Sequence, residues 1–479
     1  MIASLNAIVP MACVAAAGIA AMIAEAFTAP GERMPIAPLG IIGLVGAALA
    51  VGALWDHNAS SFGVVAADNF GLFVTGILVV VGLLSLAISA PAIERQALPR
   101  GEYYALMLFA LAGMMLMATA TDLLVIFLAL EVLSIAVYVL TGIRRDSPIA
   151  TEAAFKYFLL GAFASAFFLY GIAFTYGVTG STRLDRIGAV IAAQALSPTP
   201  LQWLALGLLL VGFAFKVSAV PFHMWTPDAY EGAPSSVTGF MSTGVKAAAF
   251  AALVRVFLAA FEPLRASWSS VLWPIAAATM IVGTVVGVAQ TNVKRMLAYS
   301  SIAHGGYLLL ALIAGNDVGK GAILFYLLTY ALTNLGAFGV IVLLEDRDRP
   351  NDRVSDYAGL WNDHPALAAL MTIFLLSLGG FPPMAGFIAK WYVFTAAVKA
   401  GYTGLAIIGV LTSVISVFFY LRIVVMMYMT PSGESLARFP SVPRIAAAAL
   451  VLSALALFYL GILPTRVIDL ATASISSIF

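Results

Sequence analysis

GFAFKVSAVPF, residues 212–222, is an apolar run that carries a lysine, Lys216, five residues ahead of a proline, Pro221. A proline inside a helix deletes a backbone donor and clashes with the preceding turn, so a helix through this stretch is expected to split into two halves. A second stretch repeats the device: FPPMAGFIAKWYVF, residues 381–394, places Lys390 about two turns after Pro382 and Pro383, which follow Gly379 and Gly380. Lys390 is expected to take the position in the second half that corresponds broadly to Lys216.

Working outward, the chain has 479 residues, of which 62% are hydrophobic and 10% charged. Soluble domains run near half apolar and a quarter charged, so a soluble fold is excluded. The formal net charge is +1, which offers no basic field for nucleic acid and leaves lipid and other membrane proteins as partners. The lone cysteine, Cys13, forms no intrachain disulfide and supplies no ligand cluster for iron-sulfur or other metal centres. No histidine pair stands at metal-ligand spacing, and no serine has a plausible base. The first apolar run is too long and lacks the basic lead of a signal peptide, so it reads as a spanning helix.

A bilayer core about 30 Å thick needs about 20 apolar residues per helix. That ruler gives about fourteen spans, near 4–26, 36–54, 69–90, 103–119, 122–141, 151–178, 202–221, 235–260, 271–290, 294–314, 320–344, 365–398, 403–428 and 443–463. The fold class is therefore an all-α integral membrane protein. Loops after odd-numbered spans hold Arg33, Arg95, Arg100, Arg144, Arg145, Lys294, Arg295, Arg347, Arg349, Arg353, Arg438 and Arg444. The other side holds half as many, namely Arg183, Arg186, Arg265, Lys320, Lys399 and Arg466. Basic residues stay in the cytoplasm, so both termini are expected to be periplasmic.

The broken spans, 7 and 12, lie five apart, and an odd offset reverses direction through the membrane. Spans 4–8 and 9–13 are therefore read as inverted five-helix repeats, the layout of secondary transporters with ion sites near the breaks. The resulting units are 1–102, 103–262, 263–430 and 431–479, the last being helix 14 and a tail. Two independent proline kinks are the plainer alternative.

An ionised side chain at the bilayer centre costs about 2.5–3.5 kcal/mol on insertion scales, so each one asks for a reason. Glu131, in FLALEVLSI, lies about nine residues into its span, roughly 14 Å deep. Lys246, in STGVKAAAF, lies about eleven residues into span 8, too deep to reach water comfortably. One acid cannot neutralise three bases, and burial disfavours an ammonium while a nearby carboxylate favours it. Such lysines are suited to exchanging protons, the alternative being a static pair that fixes packing. His304, in YSSIAHGGYLL, is either a further relay or a neutral ring bonded to a carbonyl or water. Lys156, in EAAFKYFLL, is near enough to a helix start to reach the cytoplasmic surface, and it is the weakest member of the set.

The runs FKVSAVPFHMWTPDAYEGAPSSVTGFMSTGVKAAAF (215–250), QTNVKRMLAYSSIAHGGY (290–307) and FPPMAGFIAKWYVF (381–394) closely resemble the subunit N family of bacterial NADH:quinone oxidoreductase, respiratory complex I. The resemblance extends over nearly the whole chain. It implies that Glu131 and Lys216 form a buried acid–base pair, that Lys246 is the central relay lysine, and that Lys390 stands near the outer exit. It also implies that NADH, FMN, iron-sulfur clusters and quinone belong to other subunits, with no cofactor in this chain. The implied partners are other membrane-arm subunits, including further antiporter-like ones, in the bacterial inner membrane. The competing readings are a subunit of a multisubunit cation/proton antiporter without electron transfer, and a passive membrane spacer.

Overall fold

Long runs of Leu, Val, Ile, Ala and Phe leave the backbone only its own groups to bond in lipid, so each folds as a helix. A computed structural model of the chain describes residues 5–28, 35–194, 198–346, 351–431 and 442–478. Arg33, Arg347, Arg349 and Arg438, used above for orientation, lie outside the described residues. Among the described residues, twelve helices are long and apolar enough to cross a membrane. They are α1 (Asn6–Ala26), α2 (Ala37–Leu54), α3 (Asn69–Arg95), α4 (Arg100–Thr119), α5 (Leu123–Thr141), α6 (Pro148–Thr179), α8 (Ser235–Ala259), α9 (Arg265–Ala289), α10 (Val293–Ala314), α11 (Asp317–Leu344), α13 (Thr403–Met429) and α14 (Arg444–Ile462). The two expected broken helices complete the set. They are α7a (Pro200–Lys216) with α7b (Trp225–Gly232), and α12a (Pro365–Gly379) with α12b (Ala385–Lys399).

The two breaks are built alike. α7a ends at Lys216, and Ser218 adopts a left-handed conformation, φ 62°, while Ala219 N–H donates to Ala214 O at 2.8 Å. α12a ends at Gly379, Gly380 has φ 84°, and Phe381 N–H donates to Leu376 O at 3.0 Å. Both are left-handed C-caps that satisfy a last-turn carbonyl before the chain turns away. Glycine takes that conformation freely, whereas Ser218 is a side-chain-bearing residue held there, accepting a hydrogen bond from Thr226 Oγ1 at 2.8 Å. Each break also contains a cis X–Pro bond, Val220–Pro221 and Pro382–Pro383.

α8, α10 and α11 form the buried centre, whereas α2, α6, α13 and α14 present wide apolar faces outward. On α5 the outward face is Leu124, Leu128, Val132, Ile135 and Val139, at the three- and four-residue spacing of a helix stripe. One end of the bundle collects basic side chains. There Arg95 donates to the carbonyls of Val342, Leu343 and Glu345, and Arg295 pairs with Asp228 at 2.8 Å and Glu231 at 2.6 Å. The opposite end carries a two-stranded hairpin, β1 (Ala59–Ser61) and β2 (Val65–Ala67), an addition to the all-helical expectation. Short helices at Leu184–Gln194 and Thr465–Ile475 follow α6 and α14.

At that hairpin end sits a buried ion pair. Asp68 caps the start of α3 by accepting Gly71 N–H at 2.7 Å, and its two oxygens accept from Arg255 of α8 at 2.6 and 2.8 Å. Arg255 is 2% exposed, also donates to Ala118 O, and lies 5.1 Å from the Phe70 ring centre.

Candidate proton-relay site

Glu131, Ser134 and Tyr138 follow one another at helical spacing on α5, so the three turn towards α6 and α7a together. A Cβ at Gly161 of α6 would overlap the Tyr138 hydroxyl, so glycine is what lets that ring enter. Lys216, the last residue of α7a and 3% exposed, donates to Ser134 Oγ at 2.7 Å. Its ammonium lies 5.8 Å from the ring centres of both Tyr138 and Tyr157, within cation–π range. Glu131 is half-buried and accepts instead from Ser165 Oγ at 2.5 Å.

The expected acid–base pair is thus a near pair, with each member held by its own serine. Beside Lys216 and Ser165 is a void of about 10 Å³, lined also by Tyr138, Gly161, Phe168 and Phe215. That is about the room one water needs.

Lys246 lies in the middle of α8, 3% exposed, directly after a π-helical turn at Met241–Val245. Such turns inside α-helices recur at functional positions because they re-aim the following side chain. The ammonium donates to Ser301 Oγ at 2.6 Å and to the Ser301 carbonyl, and stands 5.4 Å from the Tyr330 ring centre.

From Lys216 the chain of contacts to Lys246 is aromatic. Tyr157 stacks on Trp225 with ring centres 4.2 Å apart, Trp225 meets Tyr230 at 6.5 Å, and the Tyr230 hydroxyl lies 3.3 Å from Ser301 Oγ. The hydroxyls of Tyr157 and Tyr330 are buried without a partner among the described residues, which marks both as places where water would bond.

His304 on α10 joins Lys246 to Lys390. Its Nδ1 lies 2.5 Å from the Tyr326 hydroxyl and its Nε2 lies 3.3 Å from that of Tyr420, so both nitrogens face phenols. Its ring also packs edge-on to Tyr307 at 5.6 Å, and Tyr307 lies 5.4 Å beneath the Lys390 ammonium.

Lys390, 4% exposed, reaches back from α12b to Leu378 O at 2.8 Å and Gly379 O at 3.1 Å, and also donates to Ser413 Oγ at 2.9 Å. Counted from the left-handed caps, Lys216 lies before its break and Lys390 after its own, so the two are not equivalent in register. Lys390 instead carries its charge back to the residue at the register of Lys216, Leu378. Both ammonium groups therefore sit at the C-terminal end of a half-helix, where the backbone dipole favours a cation.

Lys156 stands apart from this row. It is exposed at the basic end of the bundle, paired with Glu152 at 2.7 Å and Asp228 at 3.0 Å. Lys294, counted from the sequence among the loop charges that set the orientation, is instead 5% exposed and donates to Ala233 O at 2.6 Å. The serines and tyrosines that join the charges were not singled out, since each reads alone as an ordinary helix residue. The spacing of Ser134 and Tyr138 behind Glu131 was the available signal.

Residues 120–416, which include Glu131, Lys216, Lys246, His304 and Lys390, match the family model described as NADH:quinone oxidoreductase/Mrp antiporter, transmembrane. The chain is 46% identical over 476 residues to NADH-quinone oxidoreductase subunit N of Trichlorobacter lovleyi, covering 99% of this chain and 98% of that one. It belongs to the subunit N family of NADH-quinone oxidoreductases. A chain of respiratory complex I from Thermus thermophilus, solved with bound aureothin, superposes with a TM-score of 0.82 at 38% identity, covering 97% of this chain and 99% of that one. A chain of the Mrp complex from Dietzia superposes equally well, with a TM-score of 0.84 over 99% of this chain and 97% of that one, but at 23% identity. The fold is thus common to both assemblies, whereas the sequence sides with the subunit N family.

Proposed function

We propose that the chain is a proton-translocating subunit in the membrane arm of NADH-quinone oxidoreductase, working through Glu131, Lys216, Lys246, His304 and Lys390. The observation that carries this is the buried row itself: three lysines and a histidine, none more than 5% exposed, joined by hydroxyls and aromatic rings across the breaks. Three ammonium groups against one acid would be a poor packing device. They make sense as a row that takes and releases protons.

Glu131 acts as the switch. Two unit charges 4 Å apart interact by about 4 kcal/mol at an effective dielectric of 20. When Glu131 leaves Ser165 and approaches Lys216, the ammonium is favoured. When it returns, Lys216 gives up its proton towards the neutral amine of Lys246, through Tyr230 and Ser301. Lys246 passes it by way of His304 to Lys390. Lys156, paired at the surface, lies outside the transfer. Helices 4–8 and 9–13 act as inverted halves hinged at the two caps, which share their geometry. The electron chemistry of NADH, FMN, iron-sulfur clusters and quinone belongs to partner subunits. The clustering of basic side chains at one end supports an inner-membrane orientation with that end cytoplasmic and both termini periplasmic.

In the intact complex reconstituted in vesicles, Glu131→Gln should lower NADH-driven proton uptake several-fold with normal assembly on native gels; full pumping would remove the switch. Ser134→Ala removes a hydrogen bond to a charged group, worth about 1.5–3 kcal/mol. A several-fold slowing is expected, whereas an unchanged rate would mean that Tyr138 and Tyr157 alone hold the ammonium.

A further inference from the structure

A second buried acid–base group lies at the basic end of the bundle, outside the row just described. Glu345, the residue that caps α11, is 2% exposed, and its Oε2 has no hydrogen-bond partner among the described residues. Buried carboxylates in static structures are normally fully bonded, because an uncompensated one is strongly destabilising. Four groups on four elements lie within its electrostatic reach: Arg95 of α3, Tyr103 of α4, Lys294 of α10, and Tyr357 of the turn at Val354–Tyr357. Arg95 donates to the Glu345 backbone carbonyl at 3.2 Å, and Lys294 spends its ammonium on Ala233 O. The Tyr357 hydroxyl is likewise unpartnered. Among the described residues, none of these donors bonds the carboxyl through Oε2.

At the same end of the bundle lies an open polar pocket of about 850 Å³, lined among others by Glu231, Asn292, Asp352 and Arg353. Lys294 links the two, being within the electrostatic reach of Glu345 and of the pocket residues Asp352 and Glu231, with Arg144 as a further positive neighbour. On its inner side two polar stripes run towards Lys246. On α8 they are Ser235, whose Oγ is unpartnered, Ser236, which accepts from the Tyr103 hydroxyl at 2.9 Å, and Ser242. On α11, Asn334 donates to Ser242 Oγ at 2.7 Å and has an unpartnered Oδ1, one turn from the Tyr330 ring beneath Lys246. The eleven residues from Glu345 to Asn334 span about 16 Å of helix.

We propose that Glu345 with Lys294 is a proton-loading site, taking protons from the pocket beside Glu231 and Asp352 and feeding Lys246 along the facing stripes of α8 and α11. The inference rests on the relay reading above. The Glu345 carboxylate binds a proton from pocket water to become the neutral acid. It then releases that proton inward through hydroxyl exchange at Tyr103 and Ser236 to the neutral amine of Lys246, which becomes the ammonium as the carboxylate is regenerated.

The test uses the whole complex in inverted vesicles, with NADH-driven proton uptake measured against the pH of the outer bath. Glu345→Gln should pump several-fold more slowly, with a flattened pH profile, and Glu345→Asp should restore both the rate and the dependence on pH. Lys294→Met removes a positive neighbour of the carboxylate, so the pH profile of uptake should shift. Should Glu345→Gln fail to assemble, the Lys294→Met profile decides, and an unmoved one overturns the site. So does a Glu345→Gln complex pumping like the wild type, or a slow one that Glu345→Asp leaves unrescued. Lys246→Met run alongside separates the two readings: if it fails to pump while Glu345→Gln is normal, only the loading site falls.

Discussion

Replacing Lys246 by methionine should abolish proton pumping in a complex that still assembles, and replacing it by arginine should do the same. Methionine fills nearly the same volume without the charge, and volume-conserving apolar changes in a core usually cost less than about 1.5 kcal/mol. The loss is therefore expected in function, not in yield. Arginine is the sharper variant. It keeps a cation near Ser301 and Tyr330, yet its guanidinium stays protonated in a protein and cannot release its proton. If Lys246 served only to place a positive charge in the centre of α8, the arginine variant would pump; if it carries the proton, both variants stop. Proton uptake per NADH oxidised, with native-gel assembly as the control, separates these outcomes, and wild-type uptake in the arginine variant would sink the central relay.

The largest structural effect is expected at the hairpin end. Asp68→Ala leaves the Arg255 guanidinium, 2% exposed, with only Ala118 O and the Phe70 face to meet. Breaking a buried pair by removing one partner costs about 3–5 kcal/mol, and loss of an N-cap adds about 0.5–2. Against a typical folding stability of 5–15 kcal/mol that is a large share. The chain should be recovered poorly, with a clearly lowered unfolding midpoint. Joint replacement, Asp68→Leu with Arg255→Met, should recover the part of the loss that comes from the unpaired charge, while the part that comes from the lost cap at Gly71 N–H remains. A single variant with the wild-type midpoint would show that water reaches Arg255.

The layout of helices was legible because lipid imposes length and polarity on every span, and the observed ends of α3, α5, α8 and α13 fall within a few residues of the ruler's. The breaks were legible at Pro221 and at Pro382–Pro383, although α7a stops at Lys216 because the left-handed cap at Ser218 precedes the proline. Lys216, Lys246 and Lys390 stood out because charge is expensive in an apolar run. Their partners did not, since Ser134, Ser301 and Tyr330 are unremarkable in a helix and acquire meaning only through neighbours far away in the chain. The Asp68–Arg255 pair, 187 residues apart, illustrates the same limit. Glu345 and Lys294 were masked by position, because charges at helix ends are ordinarily solvated and these two are not.

The caps at the ends of α7a and α12a carry one last implication. Each aligns a row of peptide carbonyls behind an amine, a fixed negative pole of roughly half an electronic charge that no acid bath can neutralise. A chain so constructed can store more positive than negative charge in an oily interior. Loss of the single carboxylate of the row would leave the amines no less firmly seated, so the gating of this row should fail well before its architecture does.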